Sequence, residues 1–169
     1  MPRYVAFLRG VSPLNAKSPD LRRCFEAAGF AAVTTVLGSG NVVFSCDSAP
    51  ETEIERRTQA ATADGFGHAF PAFVRSQDEL RELVAADPFA GFDIGDGKRV
   101  VTFLRQPPSP IELPITYAGA TIWGVANRMA FTSYLPNPTG PQFMTLIERT
   151  FTKDVTTRTW QTIIKCAAV

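Results

Sequence analysis

Histidine is almost absent from this chain: one residue, His68, stands among 169. A triad with its own imidazole base would have to run through that residue, and a zinc site would lack ligands. Cysteine is scarce too. Cys24, Cys46 and Cys166 are odd in number, and no pair has C-x-x-C spacing. That excludes a disulfide scaffold and the common redox motif, and predicts reduced, buried thiols in a cytoplasmic protein. Charge of one sign is missing: 17 Lys and Arg face 16 Asp and Glu, a net charge of +1. Nucleic-acid backbones demand clustered positive charge, so that balance argues against them as partners. No apolar run approaches the ~18 residues of a membrane span. The opening Met1-Pro-Arg-Tyr-Val-Ala-Phe-Leu-Arg9 is too short for a signal h-region and reads directly as a strand. Asp87, Asp93 and Asp96 match no calcium loop. No metal site and no cofactor is expected.

What is present is an ordinary globular composition, 45% apolar and 20% charged. Tyr4–Leu8 is a short apolar run, a strand ending at Arg9-Gly10. Ser18-Pro19-Asp20 is a helix start, with Ser18 as N-cap and Pro19 at the first position. Leu21, Cys24, Phe25 and Ala28 form its apolar stripe, and Gly29 ends it. Val33–Leu37 and Asn41–Ser45 read as a hairpin around Gly38-Ser39-Gly40. A helix over 51–63 follows, with a weak stripe of Ile54 and Ala61, then a strand over 69–74. The order β-α-β-β-α-β is that of a ferredoxin-like plait, with the first and third strands central. Arg75, at the end of that last strand, is expected to meet local acids such as Asp78 or Glu79.

The second half opens with a helix over 77–86, capped by Ser76 and Glu79. A turn-rich linker (91–97), a strand (99–104), a proline-rich stretch (107–114) and two strands (120–126 and 129–135) come next. Pro141 is expected to open a helix with Phe143, Leu146, Ile147 and Phe151 inward. The tail has two readings: a helix capped by Thr159, or a closing strand over 156–164. Val5-Ala-Phe-Leu-Arg9 echoes Val101-Thr-Phe-Leu-Arg105, so the halves look like a degenerate duplication. The expectation is an α+β protein of two ferredoxin-like subdomains, residues 1–76 and 77–169, with antiparallel sheets and helices on one face.

Gly38-Ser-Gly-Asn-Val-Val-Phe44 carries the strongest local signal. RNA-recognition plaits have a K/R-G-aromatic-G-aromatic-V-x-F strand here, whose aromatics stack bases. The glycines, Val42 and Phe44 fit that register, but Ser39 and Asn41 stand at the stacking positions and Leu37 at the basic one. Tyr4 is the remaining candidate for stacking. The open sheet face is expected to carry Ala6, Leu8 and Val43 and to be covered by the other half. Arg9 ends the first strand beside the start of the third, so Arg9, Ser39, Gly40 and Asn41 would converge at one rim, near His68. A guanidinium fork, a hydroxyl, an amide and glycine N–H groups suit a phosphate or carboxylate. Arg158 and Trp160 are further candidates: Arg158 would precede a helix N-terminus, an anion-binding position. Against these stand structural readings, in which Arg9 and Arg105 tie loops down and Trp160 is a buried anchor.

The chain resembles the bacterial domain-of-unknown-function family numbered 1697. The resemblance rests on Tyr4-Val-Ala-Phe-Leu-Arg-Gly10, Asp20-Leu21 with Phe25 and Gly29-Phe30, Ser39-Gly-Asn-Val-Val-Phe44, Val74-Arg-Ser76 with Glu79-Leu80, Asp87-Pro-Phe89 and Thr157-Arg-Thr-Trp-Gln-Thr162. It implies a two-subdomain plait fold and no established activity. The chain departs from the family where I-N-V-G-G is usual and Val11-Ser-Pro-Leu-Asn15 stands, where Gln is usual and Gly38 stands, and at Thr159 and Gln161 in place of two asparagines. Four functional readings follow. The leading one is binding of a small anionic or phosphorylated ligand at the rim. The others are an enzyme with the same pocket and His68 or an aspartate as base, an RNA-binding plait, and a protein-interaction module. Edge strands leave a homodimer open.

Overall fold

The structure, a computed structural model, describes residues 1–136 and 142–169; Pro141, expected to open a helix, lies outside the described residues. By its internal contacts the chain forms two units, Met1–Ala85 with Ile164–Val169, and Ala86–Ile163.

In the first unit, β1 (Arg3–Leu8), α1 (Ser18–Ala27), β2 (Ala31–Val36), β3 (Asn41–Ser45), α2 (Glu51–Phe66) and β4 (Ala72–Ser76) follow in order, then α3 (Gln77–Ala86). The four-stranded sheet has the order β2-β3-β1-β4, all pairs antiparallel. This is the strand order of the expected plait. Tyr4, Ala6, Leu8, Val42, Phe44 and Val74 form one apolar cluster with Leu21, Cys24 and Phe25 of α1 and Ile54 and Ala61 of α2. Helices therefore cover one face, and the i, i+3, i+4 stripe of α1 is the part of it that packs. The N-cap of α1 is Lys17, with no side-chain bond, so Ser18 sits one position inside the helix rather than capping it.

Register corrects one expectation. Ala6 pairs with Val42 and Val5 with Val43. Side chains of paired residues share a face, so Ala6 and Leu8 lie under the helices and Val43 lies opposite, with Val5 and Phe7. Tyr4 is also on the helix side, 5% exposed and stacked at 6.2 Å on Phe44. It has no surface to offer a base. Val5, Phe7, Val43 and Phe73, on the other face, are fully buried as well.

α2 buries Glu55, Thr58 and Thr62 as well as Ile54 and Ala61. The reason is β4, an edge strand whose outward N–H groups need acceptors. The N–H groups of Phe70, Ala72, Val74 and Ser76 donate to Thr62 Oγ1 (3.0 Å), Gln59 Oε1 (2.9 Å), Glu55 Oε2 (2.9 Å) and Glu51 Oε2 (3.0 Å). The pitches match. Four helical residues rise about 6 Å and two strand residues about 6.7 Å. One side-chain ladder thus closes the edge. Arg75 lies at its centre, fully buried, with Nη1 3.6 Å from Glu55 Oε2 and donating to Val74 O at 2.7 Å. Glu55, not singled out in the sequence, is therefore a partner of Arg75. The other edge strand, β2, carries a bulge between Ala31 and Thr34, with Ala32 at φ +48°.

In the second unit, β5 (Lys98–Leu104), β6 (Ile115–Tyr117), β7 (Ala120–Ala126), β8 (Met129–Tyr134), α4 (Gln142–Thr150) and β9 (Val155–Thr159) precede α5 (Trp160–Ala168). The five-stranded sheet has the order β6-β7-β8-β5-β9. Strands β7-β8-β5-β9 repeat the order β2-β3-β1-β4, so the duplication read from the two Phe-Leu-Arg segments is present in the topology. What is lacking is the first helix. The prolines of 107–114 forbid it, and β6 follows that stretch, an element with no sequence counterpart in the first half. Phe143, Leu146 and Ile147 of α4 pack with Val100, Leu104, Ala120, Ile122 and Val155. Both readings of the tail are partly right: 155–159 is a strand and 160–168 a helix, with Thr162 N donating to Thr159 Oγ1 at 3.4 Å. Among the described residues no helix is long and apolar enough to cross a membrane.

Candidate functional site

The rim begins with register. Phe7 pairs with Asn41, and Leu8 N donates to Gly40 O at 2.8 Å. Beyond that bond the next residues of the two segments are Arg9 and Ser39. On the other flank Arg9 N donates to Pro71 O at 2.9 Å. Arg9 is half-buried and Ser39 exposed.

Two residues hold the turn in shape. Gly40 has φ +87°, and a Cβ there would lie 2.8 Å from Val11 Cβ and 3.0 Å from Leu8 O. No other residue fits. Asn41 is 1% exposed, and its Nδ2 donates to Val36 O (2.9 Å) and Ser39 Oγ (3.2 Å). Its amide spans the turn and orients the Ser39 hydroxyl. The segment after Arg9 is also organised. Asn15 Nδ2 donates to Gly10 O at 2.7 Å, and Asn15 Oδ1 accepts from Ser12 N at 2.9 Å. Pro13 approaches Gly38, where a Cβ would sit 3.0 Å from the proline's Cγ. Asn15 and Pro13 were legible only as loop residues; a short polar side chain able to fold back on its own backbone was the available signal. His68 lies ahead of β4, exposed, its ring edge-on to Phe70 at 4.6 Å.

Arg158 and Trp160 belong to the second unit. Arg158 Nη1 donates to Thr156 Oγ1 (2.7 Å) and to Thr157 O (2.8 Å). Trp160 is buried, edge-on to Phe89 at 5.3 Å. Here the indole fills a core position, as an aromatic of its size generally does.

The duplication supplies an internal comparison. Leu8 pairs with Ala72 and Leu104 with Val155. Arg9 thus faces Pro71 where Arg105 faces Asp154. Arg105 grips that carboxylate with two bonds, Nε to Oδ2 at 3.0 Å and Nη2 to Oδ1 at 3.2 Å. The first unit has no acid at the corresponding position.

Burial pushes the Cys24 thiol up, with the Asp64 charge adding to it, and Cys24 Sγ donates to Ala61 O at 2.8 Å. Burial also pushes up Cys46, partly opposed by Arg57. Both stay neutral thiols, remote in role from any nucleophile. Among the described residues no cluster of three or more His, Cys, Asp or Glu could hold a metal ion.

The model of a family described as protein of unknown function, DUF1697, matches residues 1–116. No curated protein matches the chain. Among solved structures, the conserved bacterial protein SP0830 from Streptococcus pneumoniae is similar. The match covers 99% of this chain and 97% of that one, with a TM-score of 0.73 and 15% sequence identity. That likeness is one of fold.

Proposed function

The chain belongs to the DUF1697 family, whose function is unknown, and we propose that it binds a small anionic or phosphorylated ligand at the rim of its first sheet. The observation that carries the proposal is the end of the β1–β3 ladder, where Leu8 N donates to Gly40 O one residue short of Arg9 and of Ser39, on a turn that Gly40 and Asn41 make rigid. A guanidinium offers planar donors that match carboxylate and phosphate oxygens, and a neighbouring hydroxyl adds a donor. A preformed turn orders these groups before the ligand arrives, which lowers the entropic cost of binding. Asn41 serves this site by shaping the turn, and its own amide is committed to Val36 and Ser39.

The test is a thermal-shift screen with inorganic phosphate, pyrophosphate, nucleotides and phosphorylated sugars, on the native chain and on Arg9→Ala. A ligand present at a hundred times its Kd adds about 2.7 kcal/mol of apparent stability. The reading expects at least one phosphorylated compound to stabilise the native chain and to lose that effect in Arg9→Ala. Stabilisation that persists in a folded Arg9→Ala refutes it.

A further inference from the structure

We propose that the rim of the first unit docks on an anionic membrane surface, with Leu14 and Leu37 entering the acyl boundary and a lipid phosphate serving as the anion of the rim. The inference rests on the proposed anion site at Arg9 and names the source of its phosphate. Apart from Met1, Leu14 and Leu37 are the only large apolar side chains among the described residues that are more than half exposed, at 98% and 51%. Both border the rim. Leu14 stands in the segment after Arg9, and Leu37 in the turn before Ser39. The two segments touch next to the leucines, where Pro13 lies against Gly38.

Folding favours neither leucine. Leu37 has φ +61°, a conformation that glycine and asparagine adopt more readily, and it leaves half its side chain in water. Leu14 sits on a closed loop. Its N–H donates to Ser12 Oγ at 3.2 Å, and Asn15 ties the loop to Ser12 N and Gly10 O. Rigid protrusions differ from pocket linings. A small ligand is gripped in a concavity, and a side chain as exposed as Leu14 encloses nothing. The boundary between headgroups and acyl chains moulds around a protruding side chain and takes its apolar surface out of water. The charge matches such a surface. Lys17, three residues after Leu14, is exposed and has no ion-pair partner among the described residues. Cations at a membrane surface are drawn to anionic lipid.

Co-sedimentation of the full chain with lipid vesicles tests the proposal. One set of vesicles is phosphatidylcholine alone, the other equal parts phosphatidylcholine and phosphatidylglycerol. The mixed vesicles are expected to carry the chain down, and the neutral ones to bind it about tenfold less. Leu14→Ser combined with Leu37→Asn is expected to weaken binding to mixed vesicles about tenfold. Both substitutions suit exposed turn positions and leave Arg9 and Ser39 in place, so this variant is expected to fold and to respond to inorganic phosphate as the native chain does. A native chain that does not sediment with mixed vesicles overturns the proposal. So does equal binding to the two kinds of vesicle, or binding unchanged in the double variant or in a folded Arg9→Ala. Where inorganic phosphate still acts through Arg9 in spite of such a result, membrane docking alone is refuted and the anion site stands. Where it does not, both readings fall. The comparison of vesicles needs no variant.

Discussion

Replacing Glu55 by alanine removes two things at once from the closed edge of β4. Val74 N–H loses its acceptor at 2.9 Å, and the fully buried Arg75 loses the carboxylate 3.6 Å from its Nη1. Breaking a buried ion pair by deleting one member costs about 3–5 kcal/mol, because the remaining charge stays desolvated. Glu55→Gln keeps an acceptor for Val74 and loses only the charge, so about 2 kcal/mol is expected. Gln59→Ala frees the Ala72 N–H at a partly exposed position, where water replaces the side chain, at about 1 kcal/mol. As a control, Arg22→Ala breaks an exposed helix pair with Glu26 and should cost about 0.5 kcal/mol or less. Urea unfolding followed by far-ultraviolet circular dichroism measures all four. With a slope of about 2 kcal/mol/M, Glu55→Ala should lower the midpoint by roughly 2 M. A Glu55→Ala midpoint no lower than that of Gln59→Ala would refute the reasoning, since it would mean that Arg75 does not depend on Glu55.

Gly40→Ala should destabilise by about 2–3 kcal/mol, because φ +87° is strained for alanine and its Cβ would press on Val11 and on Leu8 O; thermal unfolding checks it. Asn41→Ala should cost about 1–3 kcal/mol, the value of leaving the buried Val36 carbonyl without its donor, and should weaken any phosphate binding with it. Cys24 and Cys46 have thiols raised by burial. Their contribution is therefore full below the unfolded thiol value of about 8.5, and is lost as pH rises toward the folded values; urea midpoints should fall between pH 8 and 10 (both about) and fall less in Cys24→Ser.

The plait of the first half was legible because its signals are local. The stripe of α1, the glycine-punctuated hairpin and the short apolar β1 each announce an element by spacing alone. The second helix was legible as a helix and opaque in purpose. Glu55, Gln59 and Thr62 look like a solvated face, and only the folded position of β4 turns them into acceptors for its edge. The face assignment failed for a similar reason. Alternation places Ala6 and Leu8 together, but only pairing register puts Val42, rather than Val43, beside them. At the rim, counting along two strands leads to the bond between Leu8 N and Gly40 O, next to Arg9 and Ser39. That Asn41 spends its amide within the turn, on Val36 O and Ser39 Oγ, could not be counted, because strand spacing does not say where a side-chain amide finds its acceptors. In the tail, five residues of strand run directly into a helix at Trp160, and neither periodicity alone could hold both.

The measurement that meets the proposed anion site at Arg9 most directly is a two-dimensional NMR titration of the chain with inorganic phosphate at constant ionic strength, using sulfate and chloride as comparison anions. Saturable shifts are expected at the amides of Arg9, Gly10, Ser39 and Gly40, absent in Arg9→Ala with the rest of the spectrum unchanged. Shifts confined to other surfaces, or the same saturation curve in Arg9→Ala, would contradict it.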